Sequence, residues 1–172
     1  MCPGGEVIAA SSEEGGLVVN GMSRHARNGL NSNSAVAVSI RPDDYDGTPM
    51  GAVEYQRNLE RKAFALGSGN FAAPIELLGD FLRGKSSSLK SPDRIYPTYT
   101  RGCFKVADIS EIFPSYVNEE LRYGFKSFAK KLPGFDAPDA VMTAVESRTS
   151  APIRMLRDEC GIALGKSSVY PC

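Results

Sequence analysis

The sequence predicts an α+β fold, and three observations carry that prediction. Short β-branched segments bounded by polar, glycine-containing turns occur near both ends of the chain, and two amphipathic helical patterns occupy the middle. The 17 glycines and 11 prolines indicate many turns. We therefore expect antiparallel strands near both ends of the chain and a helical middle. The 172-residue length is sufficient for one hydrophobic core.

Residues 1–48 are predicted to hold three strands and one long loop. Residues 6–10 and 17–20 are rich in β-branched side chains and enclose a polar, glycine-ended turn, which is typical of a β-hairpin. The alternating residues 35–40 predict a third strand. Residues 20–34, here called the Asn-rich loop, hold four asparagines and three serines. An irregular loop of that length inside a compact domain usually has a function.

Residues 49–135 are predicted to be helical. Val53, Leu59 and Ala63 recur near helical spacing and predict a helix over residues 50–66 that ends at Gly67. A second, shorter helix is predicted to begin at Pro74 with Ile75, Leu78 and Leu82 on one face.

Two further helices are predicted before residue 135. Asp108 and Glu111 fit a capping box that opens a short helix. A longer helix follows, and its apolar face is predicted from Val117, Leu121, Phe125 and Phe128.

The last part of the chain, residues 136–172, is predicted to return as strands over residues 140–145 and 153–156. Residues 1–172 are expected to form one domain. The turn-rich start and the apolar end also suggest a part of a longer protein.

Charge and cysteine content exclude several classes of function. Lys and Arg number 20, as do Asp and Glu, so the net charge is zero and nucleic acid or a polybasic membrane surface is not an expected partner. The longest apolar stretches are too short to span a bilayer. The four cysteines and one histidine lack the spacing of a metal site. We expect a soluble cytoplasmic protein, or a plastid protein if the source is a plant or alga.

Three segments of the chain together resemble the uncharacterised FAD-dependent dehydrogenases, a family of FAD-dependent oxidoreductases. The segments are Met1-Cys2-Pro3-Gly4-Gly5-Glu6-Val7, Asn20-Gly21-Met22-Ser23 running on to Asn31-Ser32-Asn33-Ser34-Ala35, and Val145-Glu146-Ser147-Arg148-Thr149-Ser150-Ala151-Pro152. Pieces between them agree in order, so the resemblance covers nearly the whole chain. Ala151 and Val169 depart from the family, which has serine and glycine at these places.

The resemblance implies that this chain is the substrate-facing middle domain of the flavoprotein, inserted in a flavin-binding part whose dinucleotide-binding halves lie outside it. FAD would be bound mostly by those outer segments, and the isolated chain is expected to be inactive. In the intact protein, hydride would pass between flavin and a small-molecule substrate of unknown identity. The two partners expected are therefore that substrate and the missing FAD-binding domain.

The resemblance also places the site where the chain enters and leaves this domain. The residues implied to bind cofactor are Cys2, Pro3, Gly4, Gly5, Arg148, Thr149 and Ser150. The candidate catalytic residues are Arg148, Glu146, His25 and Cys2. No metal ligand is implied.

Each catalytic candidate has an alternative role. The Arg148 guanidinium could bind a carboxylate, a phosphate or the reduced flavin, or form a surface ion pair. For Glu146, a role as the ion-pair partner of Arg148 is favoured over a role as a proton carrier. The Cys2 thiol could transfer electrons near flavin, but a packed thiol is commoner. His25 could be an acid or base, although a lone loop histidine is usually structural or solvated.

Two functions of other classes remain open on the sequence. The domain could be a non-catalytic module for dimerisation or partner docking. It could also be a stand-alone domain that binds a small molecule.

Overall fold

The computed structural model describes residues 1–10, 13–85, 104–147 and 155–170. The strands are β1 (Gly5–Ala10), β2 (Val18–Ser23), β3 (Ala73–Leu77), β4 (Phe104–Val106) and β5 (Val141–Thr143). The α-helices are α1 (Pro49–Leu66), α2 (Leu78–Arg83) and α3 (Ser115–Ala129), and 3-10 turns cover Pro42–Asp44 and Ile109–Glu111. The predicted α+β class is confirmed.

Strands β1 and β2 form the predicted hairpin. They pair antiparallel with Gly5 opposite Ser23 and Ala10 opposite Val18. The hairpin is a two-stranded sheet separate from the other three strands. Because a lone two-stranded sheet is marginal in water, it depends on the elements packed against it.

The third strand predicted at residues 35–40 is wrong. These residues belong to no strand, and their backbone groups form no backbone-to-backbone hydrogen bond in the described part of the chain. The alternation has another cause, because Val36 and Val38 are half-buried against the hydrophobic cluster around α3 while Ala35 and Ala37 are exposed.

Helix α1 matches the prediction. Pro49 occupies its first position, and the Thr48 hydroxyl accepts a hydrogen bond from the Gly51 amide at 2.9 Å. At the other end, the Gly67 amide donates to the Ala63 carbonyl at 2.9 Å. Both ends of this helix are therefore specified by residues next to them in the sequence.

The helix predicted to begin at Pro74 is wrong over its first turn. Ala73, Pro74 and Ile75 lie in β3, and helix α2 begins only at Leu78. Strand β3 is central, since β4 pairs with it in parallel and β5 pairs with it antiparallel. The strand is short, and the apolar spacing of Ile75, Leu78 and Leu82 runs from it into α2, so periodicity alone does not separate the two elements.

Helix α3 also matches its prediction, with one correction. Val117, Leu121 and Phe125 are buried, but Phe128 is 43% exposed and packs only edge-on against the Phe135 ring. Before α3, the Asp108 carboxylate caps the Ile109–Glu111 turn as expected, although the turn is a 3-10 turn.

The returning strands are only partly as predicted. Strand β5 covers three residues of the predicted 140–145, and Ala144 and Val145 continue as buried coil. Residues 153–154 lie outside the described residues, while Met155 and Leu156 are exposed and belong to no strand. The middle part, residues 49–135, is also not purely helical, because β3 and β4 lie in it.

Two groups of buried side chains form the core. One is built around Leu17, Ala63, Ile109, Ile112, Ala144 and Val145. The other is built around Leu78, Phe81, Val117, Leu121 and Phe125. Phe113 and Met142 pack against both groups, so the hairpin, the mixed sheet and α3 share one continuous apolar interior.

Candidate functional site

Residues 2–5, here called the junction turn, are bound to the Asn-rich loop by backbone hydrogen bonds. The Cys2 amide donates to the Asn33 carbonyl at 2.7 Å, and the Asn33 amide donates back to the Cys2 carbonyl at 3.1 Å. The Gly5 amide donates to the Asn31 carbonyl at 2.9 Å. Two segments that the sequence singled out separately therefore form one unit.

The close contact between the junction turn and the Asn-rich loop requires glycine at positions 4 and 5. Gly4 has a φ of +56°, and a Cβ there would collide with the backbone of Arg27. A Cβ on Gly5 would collide with the Met22 carbonyl oxygen. The loop therefore fills the space beside both glycines, so they do not form an open backbone cradle for a cofactor pyrophosphate.

Asn33 is a site residue that the sequence analysis missed. Its side-chain Nδ2 donates to the Met22 carbonyl at 3.2 Å and to the Glu6 carbonyl at 3.3 Å. A Cβ on Gly21 would collide with the Asn33 side chain, so the hairpin is shaped to admit it. The high asparagine content of the loop was the feature of the sequence that could have indicated such a residue. It did not show which asparagine forms hydrogen bonds with the hairpin.

We expect Asn33→Ala to lower the free energy of unfolding by about 1–2 kcal/mol, because it removes two side-chain hydrogen bonds in a partly buried position. Chemical denaturation measures this loss. Asn28→Ala is the matched control in the same loop, because the Asn28 side chain is exposed and makes no hydrogen bond within the described residues. Equal losses in the two variants would contradict the assigned role of Asn33.

The Cys2 thiol is half-buried against β2. Its Sγ lies 3.9 Å from the Gly21 carbonyl oxygen, and the thiol is not in a disulfide. Pro3, the next residue, is exposed, and its carbonyl accepts a hydrogen bond from the Ser23 hydroxyl at 3.0 Å. Cys2 and Pro3 are thus the parts of the junction turn that are still accessible to a ligand.

His25 lies at the surface of the Asn-rich loop. It is exposed and makes no hydrogen bond within the described residues. Its neighbour Arg24 forms an ion pair with Glu6 of β1. The described part of the chain therefore holds no group that orients the His25 ring by a hydrogen bond.

Residues 145–147 are bound near the end of β2 that lies away from the junction turn. The Val19 amide donates to the Val145 carbonyl at 2.8 Å, and the Ser147 hydroxyl donates to the buried Glu60 carboxylate at 2.7 Å. Glu146 between them is exposed. Val19 and Ser23 are four residues apart on one strand, about 13 Å. The junction turn and residues 145–147 thus contact opposite ends of β2.

Three predicted cofactor residues, Arg148, Thr149 and Ser150, lie outside the described residues. Within the described ranges, no group of three His, Cys, Asp or Glu side chains is arranged to hold a metal ion. In the same ranges, no helix has the length and apolar character needed to cross a membrane.

The structure also shows a buried acid that the sequence analysis did not single out. Glu76 of β3 is 1% exposed, and its Oε2 accepts a hydrogen bond from the Ile109 amide at 3.0 Å. Its Oε1 is buried without a partner in the described part of the chain. The pKa of this carboxyl is raised to about 7, mainly by burial and in addition by the nearby Asp108 and Asp80 carboxylates, against the opposing hydrogen bond from Ile109.

Comparison with known proteins supports the assignment to an FAD-dependent family. The family model described as "FAD-dependent protein, C-terminal domain-like" matches residues 1–149. A protein of Clostridium beijerinckii, named only as an uncharacterized protein, is 44% identical over 172 residues. The match covers 99% of this chain and 32% of that protein, so the chain spans about a third of its relative's length. The chain belongs to the FAD-dependent protein, C-terminal domain-like family.

Proposed function

We propose that this chain is the substrate-facing domain of an FAD-dependent oxidoreductase of the dehydrogenase type. The domain is inserted next to the flavin-binding part and positions a small-molecule substrate for hydride transfer. Membership of an FAD-dependent family supports FAD as the cofactor of the intact protein. The match to only 32% of the Clostridium protein supports the proposal that this domain is part of a larger protein. The flavin supplies the hydride chemistry, while the domain supplies position and charge.

One observation carries the proposal, namely the binding of the junction turn to the Asn-rich loop. Four backbone contacts, those of Cys2 and Asn33 in both directions, of Gly5 to Asn31 and of Gly29 to Gly4, hold the turn in place. A site that must position a substrate within about 0.5 Å needs such support around it. Residues 20–23 of the loop belong to β2, and the remaining residues 24–34 are irregular and mostly polar. Their contacts nevertheless converge on the segment where the resemblance places the flavin edge.

The geometry divides the proposed roles among the residues of the site. Gly4 and Gly5 position the turn, because their open sides are filled by the loop. Cys2 and Pro3 are the members of the turn proposed to face cofactor or substrate. From the leaving segment, Arg148, Thr149 and Ser150 stay proposed cofactor contacts, with the exposed Glu146 as partner of Arg148. His25 stays a proposed acid or base at the edge of the site.

The test is Gly4→Ala in the intact flavoprotein that contains this chain. A methyl group at Gly4 must displace the Arg27 backbone, and misplacement of a site by about 1 Å costs about 100-fold in rate. We expect flavin reduction by substrate to slow by about that factor, measured by rapid-mixing absorbance under anaerobic conditions.

Gly15→Ala is the matched control for backbone strain. Gly15 has a φ of +73°, similar to Gly4, but a Cβ there has nothing within 4 Å. Both variants carry the cost of a left-handed alanine, and only Gly4→Ala disturbs the junction turn. If the two variants reduce flavin at the same rate, the proposal is wrong and a docking or dimerisation module becomes the better explanation.

A further inference from the structure

The Asn-rich loop carries a positively charged turn directly over the junction turn. Arg24 and Arg27 are exposed and three residues apart, and the Arg27 amide donates to the Arg24 carbonyl at 3.0 Å. The Gly29 amide then donates to the Gly4 carbonyl at 3.3 Å. Residues 24–29, here called the basic turn, are thereby bound to the junction turn.

The positive charge of the basic turn is only partly neutralised by its neighbours. Residues 20–40 contain no Asp or Glu, although the chain as a whole has zero net charge. Glu6 pairs with Arg24. Arg27 forms no ion pair and no side-chain hydrogen bond within the described residues. One guanidinium therefore remains available for an outside ligand.

The backbone at Arg27 is itself unusual. Its φ is +49°, a left-handed conformation that is unfavourable for a residue with a side chain. Strain of this kind persists only where surrounding contacts impose it, and it is commonest at functional sites. Here the contact with Gly4 is the constraint, so the position of Arg27 is tied to that of the junction turn.

We propose that Arg27, assisted by Arg24, binds an oxyanion at the junction turn. A guanidinium presents paired N–H donors that match the oxygens of a phosphate or a carboxylate. Under the proposed function, on which the identity of the ligand rests, that oxyanion is either the pyrophosphate of the flavin cofactor or a carboxylate of the substrate. The anion site itself depends only on the charge and geometry of the loop.

The experiment titrates the 172-residue chain with inorganic pyrophosphate and, separately, with succinate at low ionic strength. Binding is followed by NMR shifts of the backbone amides of residues 24–29 and by calorimetry. We expect Arg27→Met to weaken the binding of the preferred anion by about two- to fivefold, the upper part of the range for a solvated charge contact. Lys62→Met is the matched control, since Lys62 is exposed on α1 and forms no ion pair within the described residues. This variant should bind each anion as tightly as the parent does.

The two anions distinguish the two sources. Tighter binding of pyrophosphate supports a cofactor contact, and tighter binding of succinate supports a substrate contact. Binding that Arg27→Met leaves unchanged, or no shift in residues 24–29 with either anion, overturns the proposal. This test uses neither flavin nor turnover, so its result is independent of the Gly4→Ala test. Anion binding can be confirmed even if the proposed function is wrong, and the proposed function can be confirmed even if no anion binds.

Discussion

Replacing Phe125 with alanine should lower the free energy of unfolding by about 3–5 kcal/mol. Phe125 is 7% exposed in the middle of α3 and belongs to the cluster that joins this helix to α2 through Phe81. Its ring also stacks on Phe135, with 6.1 Å between centroids. Truncation removes buried apolar area and leaves a cavity that residues from three separate segments would have to fill.

Urea denaturation of the parent and the variant measures this loss, as a shift of the midpoint with an unchanged slope. Tyr123→Ala is the control on the same helix, because Tyr123 is 72% exposed. Its effect should stay within about 0.5 kcal/mol. If Phe125→Ala costs no more than Tyr123→Ala, the buried face of α3 is wrongly assigned.

The second large effect is a loss of stability as pH rises, caused by Glu76. The pKa of this carboxyl is raised from 4.5 to about 7 in the folded protein, with burial as the main cause. The folded state therefore binds more protons than the unfolded state between these values, and its stabilisation is complete below pH 4.5. We expect the free energy of unfolding to fall by about 3 kcal/mol as pH rises from 4.5 through 7, at 1.36 kcal/mol per unit of pKa.

The physical reason lies in the surroundings of the Glu76 carboxyl. Ionisation places a charge at a position that is 1% exposed, close to the Asp80 and Asp108 carboxylates. The Ile109 amide and the Arg122 guanidinium favour the ionised form, but they do not offset the cost of burial. Above pH 7, the contact between β3 and the Ile109–Glu111 turn should therefore be weakened.

Denaturation midpoints measured from pH 4.5 to pH 8 check this prediction. Glu76→Gln keeps an oxygen that can accept from the Ile109 amide but has no proton to release, so its stability should change much less over this range. Glu119→Gln, at an exposed position on α3, should show the same dependence of stability on pH as the parent. If the stability of the parent does not depend on pH, or if Glu76→Gln keeps the full pH dependence, then Glu76 does not control the stability over this range.

Elements whose signals lie within a few neighbouring residues were predictable from the sequence. Helix α1 was predicted with its end at Gly67, and α3 with three of its four apolar positions, because helical spacing and caps are local properties. The β1–β2 hairpin was predictable because two β-branched segments enclose a short glycine-ended turn. The same local reasoning identified the Asn-rich loop as a region of interest, whereas the family resemblance indicated the junction turn.

The tertiary structure decided what depends on partners far away in sequence. Ala73–Leu77 is a strand because β4 and β5 pair with it, whereas residues 35–40 pair with no strand among the described residues. Asn33 and Arg27 became site residues only through contacts with segments about 20 to 30 residues away. Pairing and burial are properties of two segments together, and a pattern read along one segment contains no information about the other.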